Sequence, residues 1–175
     1  MALRDHIKEN HDLAEEHPFV KLLFSGGVST RLYADYLLNQ YLMYVKLETL
    51  LEYYGLLEGV ETVKRSKLML DDFHELRSNA KIYDVTYKYV RYLDTVSKEN
   101  LMAHMYVRHF GDLFGGQLMK KVVPGSGTMY QFEERSQLIK ELRSRLNDDL
   151  AEEANRVMLW AIELFQELAD EHNIR

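Results

Sequence analysis

Apolar residues recur along this chain at intervals of three and four, and no stretch alternates apolar with polar residues long enough to make a strand. The pattern predicts an all-α protein with helices over about 2–16, 18–25, 29–57, 61–78, 84–97, 98–122, 129–146 and 148–172. Breaks are expected at Pro18, Gly26–Gly27, Gly59, Ser78–Asn79 and the run from Pro124 to Gly127. Near the C-terminus Leu150, Ala154, Val157, Ala161, Leu164 and Leu168 form one apolar stripe. At the other end Leu3, Ile7, His11 and Ala14 form a second, so that His11 stands where a leucine would be expected.

Two places depart from plain amphipathic helix. His11 is the first: Arg4 and Lys8 lie within about 60° of it around the helix, and Glu15 follows one turn later. A lone inward histidine is ordinarily a satisfied core residue, but cations beside it suit a metal macrocycle that carries carboxylates. The second place is LMAHMYVRHFGDLFGGQLMKK, from Leu101 to Lys121, where strong helix formers surround Gly111, Gly115 and Gly116. Each glycine inside a helix costs about 1 kcal/mol relative to alanine. At 100° per residue Gly111 and Gly115 share a face with His104, Val107 and Leu118, giving a smooth trough with Arg108 and Asp112 to one side. A close helix crossing would also explain the glycines. It would gain nothing, however, from an aspartate whose charge must be desolvated.

Composition narrows the chemistry. A chain of 175 residues, 46% hydrophobic and 29% charged, is one domain's worth of globular protein, residues 1–175. No apolar run approaches the ~20 residues that cross a bilayer, and MALRDHIKEN lacks a signal-peptide core, so a cytoplasmic location without a membrane anchor is expected. The absence of cysteine leaves His, Asp, Glu, Tyr or Met as metal ligands. A net charge of -6 argues against nucleic acid as a partner. Asp71 and His74 make an acidic-x-x-His pair of the kind found in di-iron bundles, but no second copy accompanies it, so a solvated face is expected.

The string His104, Tyr106, Arg108, Gly111, Asp112, Leu113, Gly115, Gly116, Gln117, Lys120 and Lys121 resembles the distal-helix signature of the heme oxygenases. The spacing of His11, Ala14, Glu15 and Gly26 is similar to the family's proximal segment, and Tyr41, Tyr44, Val45, Leu47 and Glu48 match another. The resemblance implies a multi-helix fold with heme b sandwiched between an N-terminal proximal helix and a distal helix. It implies His11 as the axial iron ligand with Glu15 as its orienting partner, and Lys8, Arg4, Tyr106 and Arg143 as propionate contacts. Gly111, Gly115 and Gly116 would face the ring, with Phe165 on the pocket wall and Met158 replacing another wall aromatic. Asp112, with Tyr44 and Arg108, would handle protons.

By the same resemblance, heme is opened with O2 to biliverdin, carbon monoxide and ferrous iron, with alpha-meso selectivity following from the propionate clamp. Soluble relatives of this type, in cyanobacteria and their phages, plants and other bacteria, draw electrons from ferredoxin and feed bilin pigment synthesis. Lys120, Lys121, Arg143 and Arg145 are the candidate ferredoxin patch. Departures from the family pattern are Ile139, where animal members carry a basic residue, Lys140 one place out of register, and Phe114 within the glycine stretch. A heme-binding or storage protein on the same scaffold is the alternative; it would not need Asp112. A non-heme helical oxidase or a thiamin-related hydrolase would lack the pairing of His11 with the glycine helix.

Overall fold

The structure, a computed structural model, describes residues 2–175. Among these the chain forms nine α-helices and three short 3-10 turns, with no strand. The helices are α1 Leu3–His6, α2 Lys8–Glu16, α3 Pro18–Ser25, α4 Thr30–Tyr53, α5 Ser66–Leu76, α6 Asp84–Leu93, α7 Lys98–Val122, α8 Arg135–Arg143 and α9 Ala151–His172. The turns cover Glu61–Val63, Thr128–Tyr130 and Asp148–Leu150. Among the described residues no helix is long and apolar enough to cross a membrane.

Particular residues account for the differences from the expected boundaries. The first helix is interrupted at Ile7, whose backbone leaves helical geometry while its side chain, like that of Leu3, stays buried. The apolar stripe therefore keeps its register across the corner. The third stops at Tyr53 rather than 57 because Gly55 takes φ +70°; Gly55 N–H bonds Glu52 O at 2.9 Å and Leu56 N–H bonds Leu51 O at 2.8 Å. The segment over 61–78 becomes a 3-10 turn and then α5, since Arg65 turns inward and donates to the carbonyls of Thr62, Val63, Lys64, Met129 and Gln131. The segment over 129–146 shortens to α8 because Glu134 is left-handed at φ 49°. Despite its glycines, α7 is unbroken.

The two long helices begin on serine caps, Ser29 accepting from Leu32 N–H at 3.1 Å and Ser97 from Asn100 N–H at 3.2 Å. α4 packs on α5, α6 and α7, while α7 packs on α9, and one hydrophobic cluster runs through all of them. α2 lies on α9 and α3, and α3 in turn touches α7. The N-terminal pair α1–α2 is fastened to α9 by Asn155, which meets Asn10 at 3.0 Å and His6 O at 3.2 Å. α2 and α7 thus stand over shared supports, α3 and α9.

Candidate functional site

On α2 the His11 side chain is 49% exposed. Its Nε2 lies 3.6 Å from Glu15 and its Nδ1 4.0 Å from Asp12, both beyond a hydrogen bond, so its lone pair is available. These three are the one His/Asp/Glu group, among the described residues, whose ligand atoms come within 4.8 Å of one another. Asp71 and His74 are both exposed; the buried carboxylate beside them is Asp72, which accepts from Met129 N–H at 2.9 Å and caps the 128–130 turn.

The glycines of α7 divide into two kinds. A Cβ added at Gly111 or at Gly115 would meet nothing within 4 Å, so their face is open as expected. A Cβ at Gly116 would lie 3.2 Å from Tyr130 Cβ. Gly116 therefore serves close packing against the 128–130 turn. His104 is displaced from the trough: it is wholly buried, with Tyr89 Oη 2.6 Å from Nδ1 and Glu153 Oε1 2.9 Å from Nε2. The helical angle alone could not show that α7 is open only from Gly111 onward.

Asp112 is half-buried beside the open face, and Tyr44 Oη donates to its Oδ2 at 2.6 Å. Burial raises the carboxyl to about 6, although Tyr44, His109 and Arg65 all favour the ionised form. Arg108 donates from Nε to Tyr89 Oη at 3.0 Å and from Nη1 to Gln40 Oε1 at 3.2 Å; Gln40 Nε2 continues to Tyr36 Oη at 2.9 Å. Its Nη2 is buried without a partner in the protein.

At one edge, burial raises the Tyr106 hydroxyl while the guanidinium groups of Arg4 and Arg143 pull it down, so three of the four expected carboxylate contacts share a corner. The fourth, Lys8, is exposed and committed to Asp12 at 2.5 Å. Phe114 turns outward, with Arg143 5.2 Å and Arg135 5.5 Å from its ring. The Phe165 ring packs 5.5 Å from Phe19 and 5.9 Å from His17, placing it in an aromatic wall.

Several residues that complete this arrangement escaped sequence reasoning: Tyr36, Gln40, Tyr89 and His109. A signal existed. Tyr36, Gln40, Tyr44 and Glu48 recur every fourth residue on α4, a polar stripe that meets Arg108, His109 and Asp112 on α7.

The residues present fit a flat iron macrocycle bearing carboxylates: an available imidazole, a face of bare backbone, a cationic corner and a carboxyl able to hold a proton near neutrality. Comparison with known proteins agrees. The sequence model described as "Heme oxygenase" matches residues 1–167. A heme oxygenase of Guillardia theta is 30% identical, over 96% of this chain and 85% of its own length. Mouse heme oxygenase 2 is 29% identical over 95% of this chain, which spans 64% of that protein. The crystal structure of heme oxygenase-1 from the cyanobacterium Synechocystis, in complex with heme, superposes with a TM-score of 0.83 at 25% identity, covering 97% of this chain and 91% of that one.

Proposed function

Because the chain belongs to the heme oxygenase family and degrades heme to biliverdin, we propose that the open face of α7 and His11 of α2 are the two sides of its heme site. Bound heme supplies the iron that activates dioxygen and the meso carbon that is oxidised, with release of carbon monoxide and iron. His11 would hold the iron, and Glu15, 3.6 Å from its Nε2, is the carboxylate placed to orient the ring once it is bound. Arg4, Tyr106 and Arg143 would hold the heme carboxylates by charge-assisted hydrogen bonds, and such a clamp would favour oxidation at the alpha-meso position.

The distal residues govern protons and space. Bare backbone at Gly111 and Gly115 keeps any side chain from the reacting face. Tyr44 occupies Asp112 Oδ2, leaving Oδ1 to take up and release a proton. With its carboxyl raised to about 6, Asp112 exchanges that proton close to neutral pH. Arg108, held by Tyr89 and Gln40, stabilises charge beside it. The Asp112–Tyr44 pair next to an open glycine face carries this reading, since a storage protein has no use for a raised carboxyl there.

A soluble ferredoxin is the electron donor in this proposal. Arg145 is spent on the carbonyls of Leu56 and Glu58, at 2.9 and 2.7 Å, and Arg143 is already assigned to the propionates. The docking patch therefore narrows to Lys120 and Lys121, both exposed. Adding hemin to the purified protein should give a histidine-ligated Soret band. Ascorbate or reduced ferredoxin should then convert it to a green linear tetrapyrrole; a stable Soret band under both reductants would refute turnover. Charge reversal at Lys120 and Lys121 should slow the ferredoxin-driven reaction and remove its salt dependence while sparing the ascorbate-driven one.

A further inference from the structure

His109 lies behind the distal acid, one turn before it on α7, and the proposed roles leave it unused. It is wholly buried, and its Nε2 sits 2.8 Å from Glu48 Oε2 on α4. Glu48 also accepts from Arg65 N–H at 2.7 Å and Ser66 N–H at 3.1 Å, and these bonds together hold it below the usual carboxylate range against the effect of burial. An ionised carboxylate only accepts, so His109 Nε2 carries a hydrogen. Its Nδ1 is buried and has no partner, so Glu48 alone fixes the ring. The imidazole ring packs against the Tyr44 ring, centroids 4.8 Å apart, and Tyr44 is the residue whose hydroxyl holds Asp112.

We propose that His109, anchored by Glu48, is a positioning residue for the distal acid: it seats the Tyr44 ring so that the Tyr44 hydroxyl stays on Asp112. The charged and titratable neighbours on every packed element bear on this. From α4 come Tyr33, Tyr36, Tyr44 and Glu48, from the segment before α5 Arg65, from the 128–130 turn Tyr130, and from α7 itself Arg108. The Tyr44 hydrogen bond favours the Asp112 carboxylate while Glu48 opposes it, so a Tyr44 that loses its seat leaves Asp112 protonated to higher pH. The inference rests on Asp112 as the proton-delivering acid, but its test needs no heme.

Asp112 is titrated in the heme-free protein by carboxyl-carbon NMR, in the native chain and in His109→Gln, which keeps an N–H for Glu48 but lacks the ring that packs on Tyr44. The Asp112 midpoint should rise by about one unit in the variant. An unchanged midpoint in His109→Gln overturns the proposal. Where that variant does not fold, Tyr44→Phe, which keeps the ring and loses the hydroxyl, serves instead: an Asp112 midpoint that does not rise in it overturns the proposal equally. Failure of heme to bind or turn over would count against the functional assignment and leave these readouts intact.

Discussion

The carboxyl group of Asp112 titrates near 6 in the folded protein and near 3.8 in an unfolded chain. Between those values the native state holds a proton that the unfolded state has lost, so stability falls as pH rises from about 4 through 6. The loss is on the order of 2 kcal/mol once partial exposure is allowed for. Asp112→Asn should thus raise the thermal midpoint by a few degrees at pH 7.5, and by nothing below pH 4, while heme still binds and biliverdin formation collapses. Calorimetry at both pH values with a product assay tests this; a variant that is neither more stable nor less active would contradict the role. The two histidines separate in the opposite way. His11→Ala removes a half-exposed ring without a hydrogen bond and should change stability by less than about 0.5 kcal/mol while abolishing the histidine-ligated spectrum. His104→Ala strands Tyr89 and Glu153 in the core and should cost about 3 kcal/mol while leaving that spectrum in place.

At the scale of the element, α7 shows what a helical pattern can and cannot reveal. Its limits, Lys98 and Val122, and the shared face of Gly111 and Gly115 follow from spacing alone, because both depend on residues within a few turns of one another. The different duty of Gly116 depends on Tyr130, which arrives from beyond the helix, and no local rule anticipates it. The inward turn of Arg65 is likewise dictated by distant partners, the carbonyls of Met129 and Gln131. The glycines make the distinction measurable. Alanine at 111 or 115 enters open space and should stabilise the fold by about 0.5–1 kcal/mol through helix propensity, yet slow heme cleavage by occupying the reacting face. Alanine at 116 meets Tyr130 and should destabilise by about 1–3 kcal/mol. Urea unfolding of the three variants decides it; three shifts of one sign would remove the distinction.

Across the whole molecule the distal site is held by a hydrogen-bonded chain linking α9, α6, α7 and α4. Arg156 pairs with Glu153 at 2.9 Å; Glu153 holds His104, His104 Tyr89, Tyr89 Arg108, Arg108 reaches Gln40, and Gln40 in turn reaches Tyr36. Single residues of this chain are visible in the sequence, but their pairings are not, since His104 and Glu153 lie 49 positions apart. Burial opposes ionisation of Glu153, but its bonds to His104, Tyr92 and Arg156 prevail and lower it to about 2 from 4.5. A depressed carboxyl contributes its stability in full above pH 4.5 and loses it progressively as pH falls towards 2. Over that span the difference amounts to roughly 3 kcal/mol. Glu153→Gln should therefore unfold at lower urea than the native chain at pH 7, by an amount that shrinks once the pH drops below about 4.5. Since Arg108 is fixed through this chain, the same variant should also turn over heme more slowly with little change in heme affinity. A gap in urea midpoint that stayed constant down to pH 3 would mean that Glu153 acts by shape rather than by charge.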